Sequence, residues 1–259
     1  MATFLFNDII FGPVISRRLG VSLGINLLPA NRKVCSFNCI YCECGLNPKG
    51  TANQAHFPES DEVINRMEKK LKEMSEKSKN PDVITFAGNG EPTLHPNFSE
   101  IIDETIRLRN IYCPKTHIAV LSNATMAHIP KVFNALLKID RNIQKLDSVF
   151  PETVKLLNNP ANLPNLTETV DVLKKFYGRV IIQTLFVKGN LNGIPVDNST
   201  DLEVSAWLNI LKEISPRYVM IYSIARETPV KTIEKIPRQR MAEIYDLLQQ
   251  SGIPVQVTY

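Results

Sequence analysis

Two hydrophobic periods take turns along this chain, and that alternation restricts it to few folds. GINLL (24–28) reads as a short apolar strand. DEVINRMEKKLKEM (61–74) reads as a helix, with Val63, Ile64, Met67, Leu71 and Met74 on one face. VITFAG (83–88), HIAVLS (117–122), IQKLDSV (143–149), RVIIQTLFV (179–187) and RYVMIYSI (217–224) continue the strands. Between and after them, FSEIIDETIRLRN, VFNALLKI (132–139), LTETVDVLKKF (166–176), DLEVSAWLNILKEI and QRMAEIYDLLQQ (239–250) carry helical spacing. Ser60, Asn97 with Glu100, and Thr200 with Glu203 stand where helix starts want caps, and Gly252 closes the last helix. A final VQVTY adds one short strand. Strand-then-helix units with connections this long make parallel crossovers, in either an open doubly wound sheet or a full or partial (β/α) barrel. The gaps at 29–59, 150–165 and 188–199 are long enough to be functional or mobile.

A chain of 259 residues, 44% hydrophobic, can bury one full-sized core. Its net charge of +4 permits an anionic partner without requiring one. The opening MATFLFNDIIFG has no basic leader and carries Asp8, and no run approaches the roughly 18 apolar residues of a membrane span. A cytoplasmic protein with no membrane partner is expected. Four of the 5 cysteines lie in KVCSFNCIYCECG (33–45). In a reducing cytosol such a cluster points to metal or redox chemistry rather than disulfides. A closed zinc site usually takes two separated pairs, whereas C-x3-C-x2-C-x-C is compressed and has no second pair downstream. Three close thiolates suit one face of a [4Fe-4S] cluster and leave one iron without a protein ligand.

In a parallel barrel the active site gathers at the carboxyl ends of the strands. Those ends carry the cysteine loop, then GNGEPTLHP (88–96), then Ser122 with Asn123, then Lys145, Asp147 and Ser148. Gln183 and Thr184, then Tyr222, Ser223 and Arg226, complete the set. Cys113 precedes a strand, at the opposite end, and reads as structural.

Cys35-x3-Cys39-x2-Cys42, with Tyr41 ahead of the third cysteine, resembles the signature of the radical S-adenosylmethionine (radical SAM) superfamily. Gly88-Asn89-Gly90-Glu91-Pro92 resembles its second-strand motif, normally two glycines and an acid, here with Asn89 interposed. FGPVISRRLGVSLGINLLP (11–29) resembles the opening of a subgroup related to the tRNA wyosine-base synthases.

The resemblance implies a partial (β/α)6 TIM-like barrel, a single domain over 1–259 with its core at about 21–250 and its cluster loop at 29–59. It implies a [4Fe-4S] cluster on Cys35, Cys39 and Cys42, with SAM bound at the open iron. One electron then breaks the C–S bond, and a 5′-deoxyadenosyl radical takes hydrogen from a substrate. By the same resemblance Tyr41 packs near the adenine, and Gly88, Asn89, Gly90 and Glu91 meet the methionine amino group. Ser122 and Asn123 serve the carboxylate or ribose, Ser148 the ribose, and Gln183 lines the pocket. Arg17 and Arg18 serve anion binding or closure. Cys44 is either a bystander or a group for substrate handling or substitute ligation. His95 is either a loop histidine beside Pro96 or a proton donor.

The implied substrate is a tRNA nucleobase. Six basic residues from Arg217 to Arg240, Arg226 among them, face two acids in the same run, although no aromatic stacking series accompanies them. An activase acting on a partner protein and a non-catalytic metal-binding module are the alternatives. No flavodoxin-like segment is present, so electrons are expected from an external flavodoxin or ferredoxin.

Overall fold

Side chains alternate across each parallel strand, and both faces of the resulting sheet become buried. The computed structural model describes residues 4–48 and 56–259; residues 49–55 of the expected cluster loop lie outside these. The chain opens with strands β1 (Ile10–Ser16) and β2 (Gly20–Ile25), an antiparallel hairpin. β2 then heads a parallel run through β3 (Val83–Phe86), β4 (His117–Ser122), β5 (Arg141–Lys145), β6 (Val180–Leu191), β8 (Tyr218–Ser223) and β10 (Val255–Thr258). The remaining strands, β7 (Ile194–Asp197) and β9 (Ile233–Lys235), pair antiparallel with the extended end of β6. Helices α1 (Ser60–Glu76), α2 (Phe98–Tyr112), α3 (Pro130–Lys138), α4 (Pro151–Asn158), α5 (Leu166–Lys174), α6 (Asp201–Ile214) and α7 (Arg238–Gln250) make the crossovers.

Ile84, Phe86, Ile118, Val120, Ile182, Val219 and Ile221 point outward and join the helices in the main core. Burying each such side chain contributes about 1.5–3 kcal/mol. On the concave face, Leu19, Val83, Ala119, Ile143, Ile181 and Met220 make a second apolar cluster. The sheet curls without closing, with β1 and β10 as its edges. Side chains span the opening: Arg17 Nη1 donates to the Tyr259 carbonyl (3.2 Å) and Gln256 Nε2 to the Arg18 carbonyl (3.1 Å). This is the expected partial barrel, its six-stranded parallel core extended by β10. Among the described residues no helix is long and apolar enough to cross a membrane.

Several local expectations change. The gap at 150–165 contains α4, which starts on Pro151, where the missing N–H is harmless. The gap at 188–199 is a β6–β7 hairpin turning on Asn192 and Gly193, both at positive φ (53° and 88°). Neither Ser60 nor Asn97 caps its own helix. Asn97 Nδ2 instead donates to Ser60 Oγ (2.9 Å), tying two helix starts together. Thr200 does cap α6, accepting from the Glu203 N–H (3.3 Å), but the Glu203 carboxylate turns away to Ser148 and Thr153.

Candidate active site at the carboxyl edge

The cysteine loop is stitched to the sheet along its length. The Val34 N–H donates to the Asn89 carbonyl (2.8 Å), and the Glu91 N–H to the Val34 carbonyl (3.0 Å). This approach explains both glycines of the motif. A Cβ on Gly90 would stand 1.8 Å from the Val34 oxygen, and one on Gly88 would stand 2.5 Å from Asn26 Oδ1. Their φ angles, +141° and +142°, also exclude ordinary side chains. On the far side, the Asn38 and Ile40 N–H groups donate to the carbonyls of Asn158 (2.7 Å) and Leu157 (2.9 Å) at the end of α4.

Cys35, Cys39 and Cys42 border one cavity of about 280 Å³ with Glu91, Lys145 and Gln183. All cysteines are free thiols. Burial, with Glu91 and Cys39 adding, pushes the Cys35 thiol up to about 12, and burial also raises Cys39. Cys42 is held low, at about 5, by the neighbouring Cys44 thiol and the Lys33 ammonium. Lys33 is itself buried and donates to the Gly45 carbonyl (2.9 Å). Cys44 Sγ lies 3.2 Å from the Gly88 carbonyl, and its proton is held by Cys42 and by burial.

Glu91 is buried and joins two strand ends. It accepts from the Thr93 N–H (3.1 Å) and Oγ1 (2.5 Å), and from the Asn123 N–H (2.7 Å). Burial raises its carboxyl, and these donors pull the other way. Asn123 Nδ2 donates to Ser36 Oγ (2.8 Å), and Ser122 Oγ accepts from the Ala124 N–H (3.1 Å).

A second network flanks Cys39. The Tyr41 hydroxyl donates to Asp147, and Asn158 Nδ2 reaches Asp147 Oδ2 (2.8 Å), the Tyr41 oxygen (3.0 Å) and Cys39 Sγ (3.4 Å). Lys145 Nζ stands 3.1 Å from the Tyr41 oxygen and 3.4 Å from Asp147 Oδ2. Burial opposes the Lys145 ammonium, but the Asp147 carboxylate, with smaller contributions from Tyr222 and Cys39, outweighs it and holds the proton above the usual lysine range.

The other named residues divide between this cavity and its surroundings. Asn89 is turned from the cavity and fastens the chain start, bonding the Phe6 and Pro29 carbonyls (both 2.9 Å). Ser148 Oγ donates to Glu203 (2.7 Å) and borders a smaller neighbouring cavity. Gln183 Nε2 donates to the Tyr222 hydroxyl (2.7 Å). Arg18 enters the main cavity and stacks on Tyr222, its Cζ 4.3 Å from the ring centre. Arg17 is exposed, and exposed Arg226 pairs with Glu43 (2.6 Å). His95 uses both ring nitrogens, one beside the Pro58 carbonyl (2.9 Å) and one accepting from the Asn97 N–H (3.2 Å), and burial lowers its pKa. Cys113 is buried in the main core. Of the basic run, Arg226, Lys231 and Arg240 pair with carboxylates, whereas Arg217, Lys235 and Arg238 are exposed and make no ion pair among the described residues. Lys33 and Asn158 escape a reading of strand ends, although Lys33, two residues ahead of Cys35, carries a local signal.

Among the described residues no three His, Cys, Asp or Glu side chains converge on a point where a single ion would sit. Three thiols that share a cavity without converging fit a cluster of several irons, each thiolate on its own metal, rather than one tetrahedral ion. A curled parallel sheet with this donor set over its carboxyl edge defines an iron–sulfur half-barrel. The sequence profile of the Radical SAM superfamily matches residues 33–208, and the chain belongs to that superfamily.

A Brachyspira hyodysenteriae protein named GTPase Obg is 31% identical over 223 residues, covering 85% of this chain and 30% of that protein. A Helicobacter pylori UPF0026 protein is 30% identical over 226 residues, covering 86% of this chain and 68% of its own length. The chain therefore spans only part of these relatives. A radical SAM methyltransferase from Sphaerobacter thermophilus has TM-score 0.67 at 14% identity, covering 92% of this chain and 66% of that one. TYW1 with a lysine–pyruvate adduct bound has TM-score 0.63 at 14% identity, covering 88% of this chain and 73% of that one. These structures share the fold. Members of the superfamily use a [4Fe-4S] cluster and SAM, and the residues present fit both.

Proposed function

We propose that this chain acts as one radical SAM catalytic domain. The observation that carries this reading is that three free thiols and a buried carboxylate border one cavity at the ends of parallel strands. When bound, the cluster and SAM together supply an electron and a 5′-deoxyadenosyl radical that takes hydrogen from substrate. Cys35, Cys39 and Cys42 hold the metal. Glu91, kept in place by Thr93 and Asn123, accepts from the methionine ammonium, where Gly88 and Gly90 leave the wall bare. Ser122 and Asn123 frame the carboxylate or the ribose. Tyr41 and Ser148 frame the adenosine side, and their bonds to Asp147 and Glu203 keep them rigid. The buried walls exclude water from the reacting atoms.

Electrons come from an external flavodoxin or ferredoxin. The finer reading, hydrogen abstraction from a tRNA nucleobase, is supported by the likeness of residues 11–29 to the wyosine-synthase-related subgroup; the basic run, half of it already paired with carboxylates, adds little. Anaerobically reconstituted protein with SAM and dithionite should form 5′-deoxyadenosine, and Cys39→Ala should form none. Bulk tRNA should raise the wild-type rate if the nucleobase reading holds. An intact, reducible cluster that yields no product with or without tRNA or cell extract would overturn the catalytic reading.

A further inference from the structure

We propose that Arg18, with Tyr222 and Gln183, forms a subsite for the carboxylate or phosphate group of a small substrate inside the curl of the sheet. This deepens the radical SAM reading and rests on it. Arg18 sits in the turn between β1 and β2, at the open side of the half-barrel. Its backbone is held from two directions: its N–H donates to Ser16 Oγ (3.3 Å), and its carbonyl accepts from Gln256 on β10 (3.1 Å). The side chain runs inward, stacked on the Tyr222 ring, and borders the same cavity as the three cysteines. Arginine stacks well on such a ring while keeping its in-plane donors free.

Those donors lack a partner. Arg18 Nη1 is buried and makes no hydrogen bond, and among the described residues Arg18 makes no ion pair. A guanidinium that served only to close the sheet edge would be expected to meet a carboxylate or carbonyl, because a buried charged donor left unpaired is costly. The other two cations of the cavity are occupied, Lys33 by the Gly45 carbonyl and Lys145 by Asp147. A second unsatisfied atom borders the same cavity at the hydroxyl end of the Tyr222 ring. Gln183 spends Nε2 on the Tyr222 hydroxyl, while its Oε1 is buried and unpartnered. A ligand offering an anionic oxygen beside an N–H or O–H would satisfy both atoms. The depth of Nη1 selects a small molecule over the backbone of a polymer. Arg17 and Arg226, the other two substrate candidates, face away and are already paired with the Tyr259 carbonyl and Glu43.

The test uses cluster-reconstituted, SAM-loaded protein with inorganic phosphate and malonate as probes, followed by ligand-observed NMR, with SAM affinity measured in parallel. Arg18→Gln should weaken binding of at least one probe by about tenfold or more and leave SAM affinity within about twofold. Arg18→Lys should retain part of the binding, and Arg17→Gln should retain all of it. Tyr222→Leu, which removes the stacking platform but keeps the charge, should also weaken the probe. Loss of phosphate alone assigns a phosphate, and loss of malonate alone a carboxylate. Equal probe binding by Arg18→Gln and wild type, or no probe binding by wild type, would overturn the proposal. So would a tenfold loss of SAM affinity in Arg18→Gln, since the guanidinium would then hold the cofactor's own carboxylate. Failure of the radical SAM reading would show separately, as absent SAM cleavage in the wild type.

Discussion

The two halves of the concave face are made by the same strands and do opposite things. Ala119, Ile143, Ile181 and Met220 fill the lower half with apolar packing. Two residues further along those strands and on the same face, Leu121, Lys145, Gln183 and Tyr222 border the cavity. One period of the pleat thus separates a plug from a site. The lower residues hold the strands at the spacing the upper ones need. The upper ones keep polar atoms that a plug could not accommodate, including the unpartnered Gln183 Oε1. Stability and chemistry are divided along the strand axis, and substitutions in the two halves should separate them.

The largest effect is expected from the loop above the cavity. Cys39→Ala should lose cluster loading and with it 5′-deoxyadenosine formation, while far-UV circular dichroism stays that of the wild type; iron analysis reads the first and the spectrum the second. In the plug the pattern should invert. Ile181→Ala should cost about 2–5 kcal/mol in urea unfolding, with SAM affinity little changed in the folded fraction. A plug variant that kept its stability but lost SAM binding would break the division. Away from both halves, Thr200→Ala removes the cap of α6 and should cost about 1 kcal/mol in the same assay.

The smallest effect concerns His95, which ties the loop after β3 to the start of α2. Burial lowers its folded pKa below the unfolded value of about 6.5. Above that pH both states are neutral at this ring and no penalty arises. As pH falls through the unfolded value, the unfolded chain binds a proton that the folded chain resists, so stability declines. His95→Asn should flatten that decline below about pH 6.5, even if it lowers stability at every pH. An unchanged slope would place the titration elsewhere.

Much of this division is legible along the chain, because it follows from local pattern. Strand β4 has its expected bounds, and the alternation of Ile118, Ala119, Val120 and Leu121 already separates an outer from an inner face. The cysteine spacing is legible for a different reason: three thiols in one short loop carry a chemical constraint that needs no knowledge of the fold. What escapes the sequence depends on contacts between distant segments. The β1–β2 hairpin hides behind Gly12, Pro13 and Gly20, which interrupt its period. The β6–β7 hairpin reads as a gap, although Asn192-Gly193 is a local turn signal that could have identified it. Glu203 matches a capping box, yet its carboxylate is claimed by Ser148 and Thr153 from elsewhere in the chain. Arg18 belongs to the same class: nothing near it in sequence shows that the turn folds against β8 and β10, where Tyr222 and Gln256 wait.

On the proposed function, three thiolates hold a cluster whose remaining iron is free for SAM. Electron paramagnetic resonance of the dithionite-reduced, reconstituted protein tests it most directly, recorded before and after addition of SAM. A reduced [4Fe-4S] signal that changes shape on adding SAM is expected, with near four irons per chain and none retained by Cys39→Ala. A cluster signal indifferent to SAM, or one zinc and no iron after anaerobic purification, would contradict it.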